Sequence, residues 1–272
     1  MNAETTLDAA HAAMQANPED DAARLRFYGV LADSELFVLL EREPEGRDAI
    51  SPEILDLEGD LFALVFDSEE RLSGFARRIA PYAALPGRAI AGMLAGRNIG
   101  LGLNLGVAPS SILIPPEAMS WLAEALAEAV SEAPEAGQGG TLSFTAPDPA
   151  LGALAPALAQ KLAAAGAMGA RAWLVGARFQ DGADGAAKPA LVMAGVPEAA
   201  EPSLARASRE VLLFSGLAIP ELATLFLPAT SPRLAAIAAT GLEIRFPKPA
   251  PATVAAPPAP PGSDPDKPPK LR

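Results

Sequence analysis

Apolar positions recur along this chain at two different periods. Over residues 7–17 and 18–32 the spacing is helical, with Leu25, Tyr28 and Leu31 on one face and Pro18 opening the second segment, which predicts a helical hairpin. Residues 36–40 and 61–66 are compact apolar runs without alternation, the form of strands covered on both faces, and the polar stretch 44–52 between them reads as a loop. Asp67 follows the second run and is placed to cap a helix reaching about Arg78, with Glu70 at its third position. A short helix is expected after Pro86. Residues 99–106 then alternate strictly, setting Ile99, Leu101, Leu103 and Leu105 against Gly100, Gly102, Asn104 and Gly106, a strand with one bare face. Pro115 and Pro116 open a helix on which Met119, Leu122, Ala123, Leu126 and Val130 share a side.

The second half has its own elements. Leu151, Leu154, Leu158 and Leu162 form a helical stripe, and Trp173, Val175, Ala177 and Phe179 line one face of a strand. Asp-Gly steps within residues 181–189 predict a hairpin loop returning into a partner strand at 190–194. A helix near 202–213 and a strand near 224–227 come next. Ser231 and Pro232 are placed to start a helix that Gly241 stops, and Leu242, Ile244 and Phe246 form a last strand.

These elements predict an α+β protein of two mixed domains, each a small sheet packed with helices. The first spans 1–132, a linker 133–140 follows, and the second spans 141–246. Beyond it, residues 247–272 are proline and alanine with scattered charge and no aliphatic period, which predicts a disordered, partly polyproline II tail.

Composition narrows the chemistry. With no cysteine among 272 residues, disulfides, thiolate nucleophiles and cysteine-ligated metals are excluded, and a reducing, cytoplasmic setting fits. A net charge of -12 opposes binding to nucleic acid or to an anionic membrane surface. No apolar run approaches the roughly 20 residues that span a bilayer, and the start of the chain lacks the pattern of a secretory signal. The expectation is therefore no nucleic acid partner, no membrane span and no cofactor.

Three phrases stand in order: Leu36-Phe37-Val38-Leu39-Leu40, Phe66-Asp67-Ser68-Glu69-Glu70-Arg71-Leu72 and Gly100-Leu101-Gly102-Leu103-Asn104-Leu105-Gly106. Together they resemble the amino-terminal domain of the SseB family, and residues 151–246 are similar, more loosely, to the carboxy-terminal domain paired with it. The family's middle phrase has threonine where this chain has Asp67. Its last phrase contains asparagine-proline-glycine-serine, where Leu105 and Val107 here replace the proline and the serine. The resemblance implies no general enzymatic activity and no agreed catalytic residues. The family's name implies a link to type III secretion.

Individual motifs have plain structural explanations. His11 is the single histidine, which leaves histidine-dependent triads and most zinc sites without partners, and its helix reads as peripheral. The glycines at 100, 102 and 106 have the wrong spacing for a dinucleotide fingerprint and lie within a strand; a stripe without side chains instead lets another element approach closely. Gly182, Gly185 and Lys188 lack the Gly-Lys-Ser/Thr step of a phosphate loop, and Asp181 and Asp184 lack the closing carboxylate of a calcium loop. Prolines 257, 258, 260 and 261 could enter an aromatic groove, although such tails commonly serve as linkers. The leading expectation is a non-enzymatic interaction or regulatory protein. Its partner-binding residues are Asp67, Ser68, Glu69, Glu70, Arg71, Gly102, Asn104 and Gly106, with no metal site. The competing reading is a metal-assisted hydrolase in which Asp67, Glu69, Glu70 and Asn104 converge; a secretion-associated factor is the third.

Overall fold

The computed structural model describes residues 4–43, 50–131, 142–179 and 187–247. The expected linker 133–140, most of the 181–189 hairpin loop and the tail from 248 onward lie outside them. The architecture is α+β, with one sheet in each half of the chain.

The helical hairpin forms as α1 (Thr6–Ala16) and α2 (Asp21–Asp33). The second helix starts three residues after Pro18, because the Asp20 carboxylate accepts from the Ala22 amide and caps it there. The first sheet contains β1 (Glu35–Leu39), β2 (Ile54–Leu57), β3 (Asp60–Phe66), β4 (Tyr82–Pro86), β5 (Ile99–Leu103) and β6 (Ile112–Ile114), with α3 (Glu69–Ala76), α4 (Gly87–Leu94) and α5 (Pro116–Ser131) between or after them. Its order is β4-β1-β3-β5-β6, with β2 beside the start of β3. The sequence pattern passed over β2 and β4. The first is formed by a tight turn at Glu58 and Gly59, both at positive φ, and the second is an edge strand whose residues alternate in exposure.

Four helices cover one face of this sheet. Leu7 of α1, Phe27 and Leu31 of α2, Ile90 and Leu94 of α4 and Met119 and Leu122 of α5 pack on Leu36, Val38, Val65, Leu101 and Leu103. Among the described residues, the other face carries a single eight-residue helix, α3, whose Leu72, Phe75 and Ala76 sit on Leu39, Leu64 and Phe66.

In the second half, β7 (Leu142–Thr145), α6 (Ala155–Lys161), α7 (Ala163–Ala167), β8 (Arg171–Phe179), β9 (Lys188–Ala194), α8 (Glu201–Leu213), β10 (Ala223–Leu227), α9 (Leu234–Thr240) and β11 (Leu242–Ile244) make a sheet of order β10-β9-β8-β11. Leu151, Leu154, Leu158 and Leu162 are all buried against it, as their stripe predicts. β8 is buried on both sides. Ala172 and Leu174 face α6 and α8, while Trp173 and Val175 face Leu234 and Ile237 of α9. Helix α9 begins at Leu234, whose amide donates to the Ser231 carbonyl.

Candidate functional site

The expected site residues gather where β3 and β5, parallel neighbours, come to their carboxy ends. Asp67 is not the cap of α3. Ser68 takes that place, its hydroxyl accepting from the Arg71 amide at 3.2 Å, and the helix stops at Ala76 because Arg77 turns into the left-handed region. One residue earlier, Asp67 is free to meet Arg71 a full turn on. The Arg71 Nη1 donates to both Asp67 oxygens at 2.9 and 2.8 Å.

A third partner arrives from far away in sequence. Thr5 and Asp8 form a reciprocal capping box at the start of α1, and Asp8 also closes on Arg71: Nη1 donates to its Oδ1 at 3.1 Å, and Nη2 pairs with its Oδ2. The Ser110 hydroxyl donates to the same Oδ1 at 2.5 Å, and the Thr5 hydroxyl donates to Asp67 at 2.7 Å. Asn104 completes the cluster. Its backbone bends to φ 50, which ends β5 at Leu103 rather than at Gly106 as the alternation predicts. Its side-chain oxygen accepts from the Asp67 amide at 3.1 Å, and its nitrogen donates to Ser110 at 2.9 Å.

Burial decides what this cluster can do. Asp8, Arg71 and Asp67 are 3%, 3% and 4% exposed at their side chains, and Asn104 and Ser110 are fully buried. Burial pushes the Asp8 carboxyl up. The hydrogen bonds from Arg71, Ser110 and Thr5, together with the Arg71 charge, outweigh it and hold the carboxyl well below the usual carboxylate range. Hydrogen bonding to Asp8, and then the charges of Asp67 and Asp8, hold the Arg71 guanidinium protonated against its own desolvation.

The remaining expected residues point elsewhere. Glu69 and Glu70 are exposed at the start of α3, where the helix dipole favours them, and Glu69 accepts from the Tyr82 hydroxyl at 2.8 Å. The hydrolase arrangement requires Asp67, Glu69, Glu70 and Asn104 to converge. Instead Asp67 is locked inward on Arg71, Asn104 is buried beside it, and the two glutamates face solvent. Among the described residues, no group of three or more histidine, aspartate or glutamate side chains is placed to hold a metal ion, and no helix is long and apolar enough to cross a membrane. His11 is not peripheral. It is 7% exposed and packs edge-on against Phe27 at 5.9 Å between ring centroids.

The bare glycine face is filled from within. A Cβ on Gly100 would stand 2.4 Å from the Ile114 carbonyl oxygen and 2.7 Å from the Phe62 ring, and one on Gly102 would meet the end of Leu105 at 2.9 Å. Gly106 has open space but needs its φ of 67°. Residues 7–121, which carry all of this geometry except Thr5, match the family model described as SseB protein N-terminal domain. The first domain is an SseB N-terminal domain. Comparison with curated proteins and with solved structures found no match. The three phrases that carry the resemblance thus occupy β1, the β3–α3 junction and β5 of the SseB domain, and the last two are joined through Asp67, Arg71 and Asn104. Thr5, Asp8 and Ser110, the other half of the network, were missed. A Thr-x-x-Asp capping box ahead of an apolar helix was the one signal that could have shown two of them.

Proposed function

We propose that this SseB-family protein is a non-enzymatic protein-interaction module whose contact surface is the α3 side of the first sheet. The observation that carries the reading is the uneven cover of that sheet. Among the described residues, four helices lie on one side and α3 alone on the other, and large apolar side chains stand open around it. Strand register puts Leu57 of β2, Leu113 of β6 and Tyr82 of β4 on this side, and they are 39%, 40% and 41% exposed; Ile79, in the α3–β4 loop, is fully exposed. Single exposed apolar residues are ordinary, but several around one thinly covered sheet face form a surface on which a protein partner could bury area.

The Asp8–Arg71–Asp67 network then acts as the frame under this surface, fixing α3 to α1 and to the turn after β5. Of the expected contact residues, Glu69, Glu70 and Gly106 lie at the surface, while Asp67, Arg71, Gly102 and Asn104 would act by holding them in place. A cytoplasmic location and the likeness of residues 151–246 to the SseB carboxy-terminal domain belong to the same reading.

The test is quantitative affinity capture from the native host with the wild type and with a Leu57→Asp/Leu113→Asp variant, after matching unfolding midpoints establish that both are folded. A partner enriched by the wild type and lost from the variant is expected. An identical set of captured proteins would contradict the assignment of this face.

A further inference from the structure

Helix α8 belongs to both halves of the molecule. Leu204, Ala207 and Val211 face the second sheet, and Ser208 beside them turns its hydroxyl back to the Leu204 carbonyl. Arg206, Arg209, Glu210, Leu213 and Phe214 recur at the same helical spacing on the opposite side, a second stripe on one helix. Phe214 is 7% exposed and is a member of the first domain's core, packed over Gly29 of α2, where a Cβ would stand 2.9 Å from its own. Gly216, at φ +70, lies so close to Ala22 that a Cβ would come within 2.2 Å of the Ala22 side chain. Arg209 donates to the Ala129 carbonyl of α5 at 3.2 Å.

Around Glu210 the contact is ionic and crossed. Arg88 of α4 donates to both Glu210 oxygens at 3.0 Å and to Asp33 of α2 at 2.5 Å. Lys161 of α6 pairs with Glu210 at 2.8 Å and also reaches Asp33. Asp33, Arg88, Glu210 and Lys161 therefore close a ring of alternating charge in which two members come from each half. Burial pushes the Glu210 carboxyl up, but Arg88 and Lys161 more than reverse it, so the carboxylate stays charged at 2% exposure.

We infer that the α2/α4/α5 surface of the SseB domain is an interaction surface whose partner is this chain's own α8, and that this docking makes the two halves one cooperative folding unit. Separated, each half loses contacts that the whole chain supplies. The first lacks Phe214, and the second would leave Glu210 and Lys161 without Arg88 and Asp33. A further consequence follows for the molecule's exterior: part of the helical side of the first sheet is already taken by α8.

The chain supplies its own reporters, since Trp121 lies in α5 of the first half and Trp173 in β8 of the second. In full-length Trp173→Phe and Trp121→Phe proteins, denaturant unfolding would be followed by tryptophan fluorescence and by far-ultraviolet circular dichroism. Glu210→Gln, and separately Phe214→Ala, would then be added to each. The expected result is coincident fluorescence and dichroism transitions in both single-tryptophan proteins, and a fall in the fluorescence midpoint of both reporters with each α8 substitution. Two outcomes would overturn the inference: a fluorescence transition separated from the dichroism transition in either parent protein, or α8 substitutions that move only the Trp173 signal. If Phe214→Ala fails to fold, the parent proteins and Glu210→Gln still decide the question.

Discussion

In the SseB domain Asp8, Asp67 and Arg71 are 3–4% exposed, whereas the ring that joins the halves runs from Glu210 at 2% to Arg88 at 32% and Asp33 at 41%. Both clusters pair two carboxylates with cations and both bridge distant parts of the chain. They differ in what water can do for them. In the first, a single guanidinium serves two buried carboxylates, so removing it strands two charges where solvent cannot reach them. In the second, each member has at least two partners and several are partly hydrated, so losing one contact leaves the rest compensated. The sealed cluster is a fixed joint within one domain. The half-open ring joins the two halves of the chain, with Phe214 packed beside the charges.

Breaking the sealed joint should give the largest effect. Arg71→Leu leaves Asp8 and Asp67 buried without a cation and is expected to lower the unfolding free energy by roughly 3–5 kcal/mol, measured by denaturant titration. A loss below about 1 kcal/mol would mean that the cluster is more hydrated than its burial indicates.

Acid should act on the same joint. The folded Asp8 carboxyl is held below its unfolded value, so its contribution to stability is present above the ordinary carboxylate range, about pH 4, and is lost as pH falls below it. Asp8→Asn is expected to lower stability at neutral pH and to flatten the decline between about pH 4 and pH 2. Unfolding curves of the two proteins that fall in parallel with acid would place the titrating group elsewhere.

A smaller effect should separate the two kinds of glycine. Gly100→Ala drives a methyl group into the Ile114 carbonyl and is expected to cost about 1–3 kcal/mol, while Gly102→Ala meets the movable end of Leu105 and should cost less. Thermal unfolding of the pair checks the order. Smallest of all, Glu70→Gln removes an exposed charge at the start of α3 and should change stability by no more than about 0.5 kcal/mol.

Much of this was legible in the sequence, and the gaps have physical causes. The helical stripes, the strand carrying Trp173 to Phe179 with its partner at 190–194, and the α+β class follow from periodicity, which reports on single elements and their nearest neighbours. β2 and β4 escaped it because they are short and only partly buried. At the candidate site, the resemblance brought Asp67, Arg71 and Asn104 together as a place to look but left them facing outward. Their inward turn depends on Asp8 and Ser110, which lie 63 and 39 residues from Arg71. No local pattern carries that information. The second stripe of α8 was hidden differently, since an acid and two arginines read as a solvated face until Arg88 and Asp33 of the other half are set against them.

Whether the strand-end motif is a fixed frame or an adaptable contact is tested most directly by native-state hydrogen exchange of three amides. Those of Asp67, bonded to Asn104 at 3.1 Å, and of Asn104, bonded to the Val65 carbonyl at 2.9 Å, should exchange only through global unfolding. The exposed Gly106 amide, held by Ser111 at 3.1 Å, should exchange far faster. If the Asp67 and Asn104 amides exchange as fast as Gly106, the motif opens locally and the frame described here does not exist.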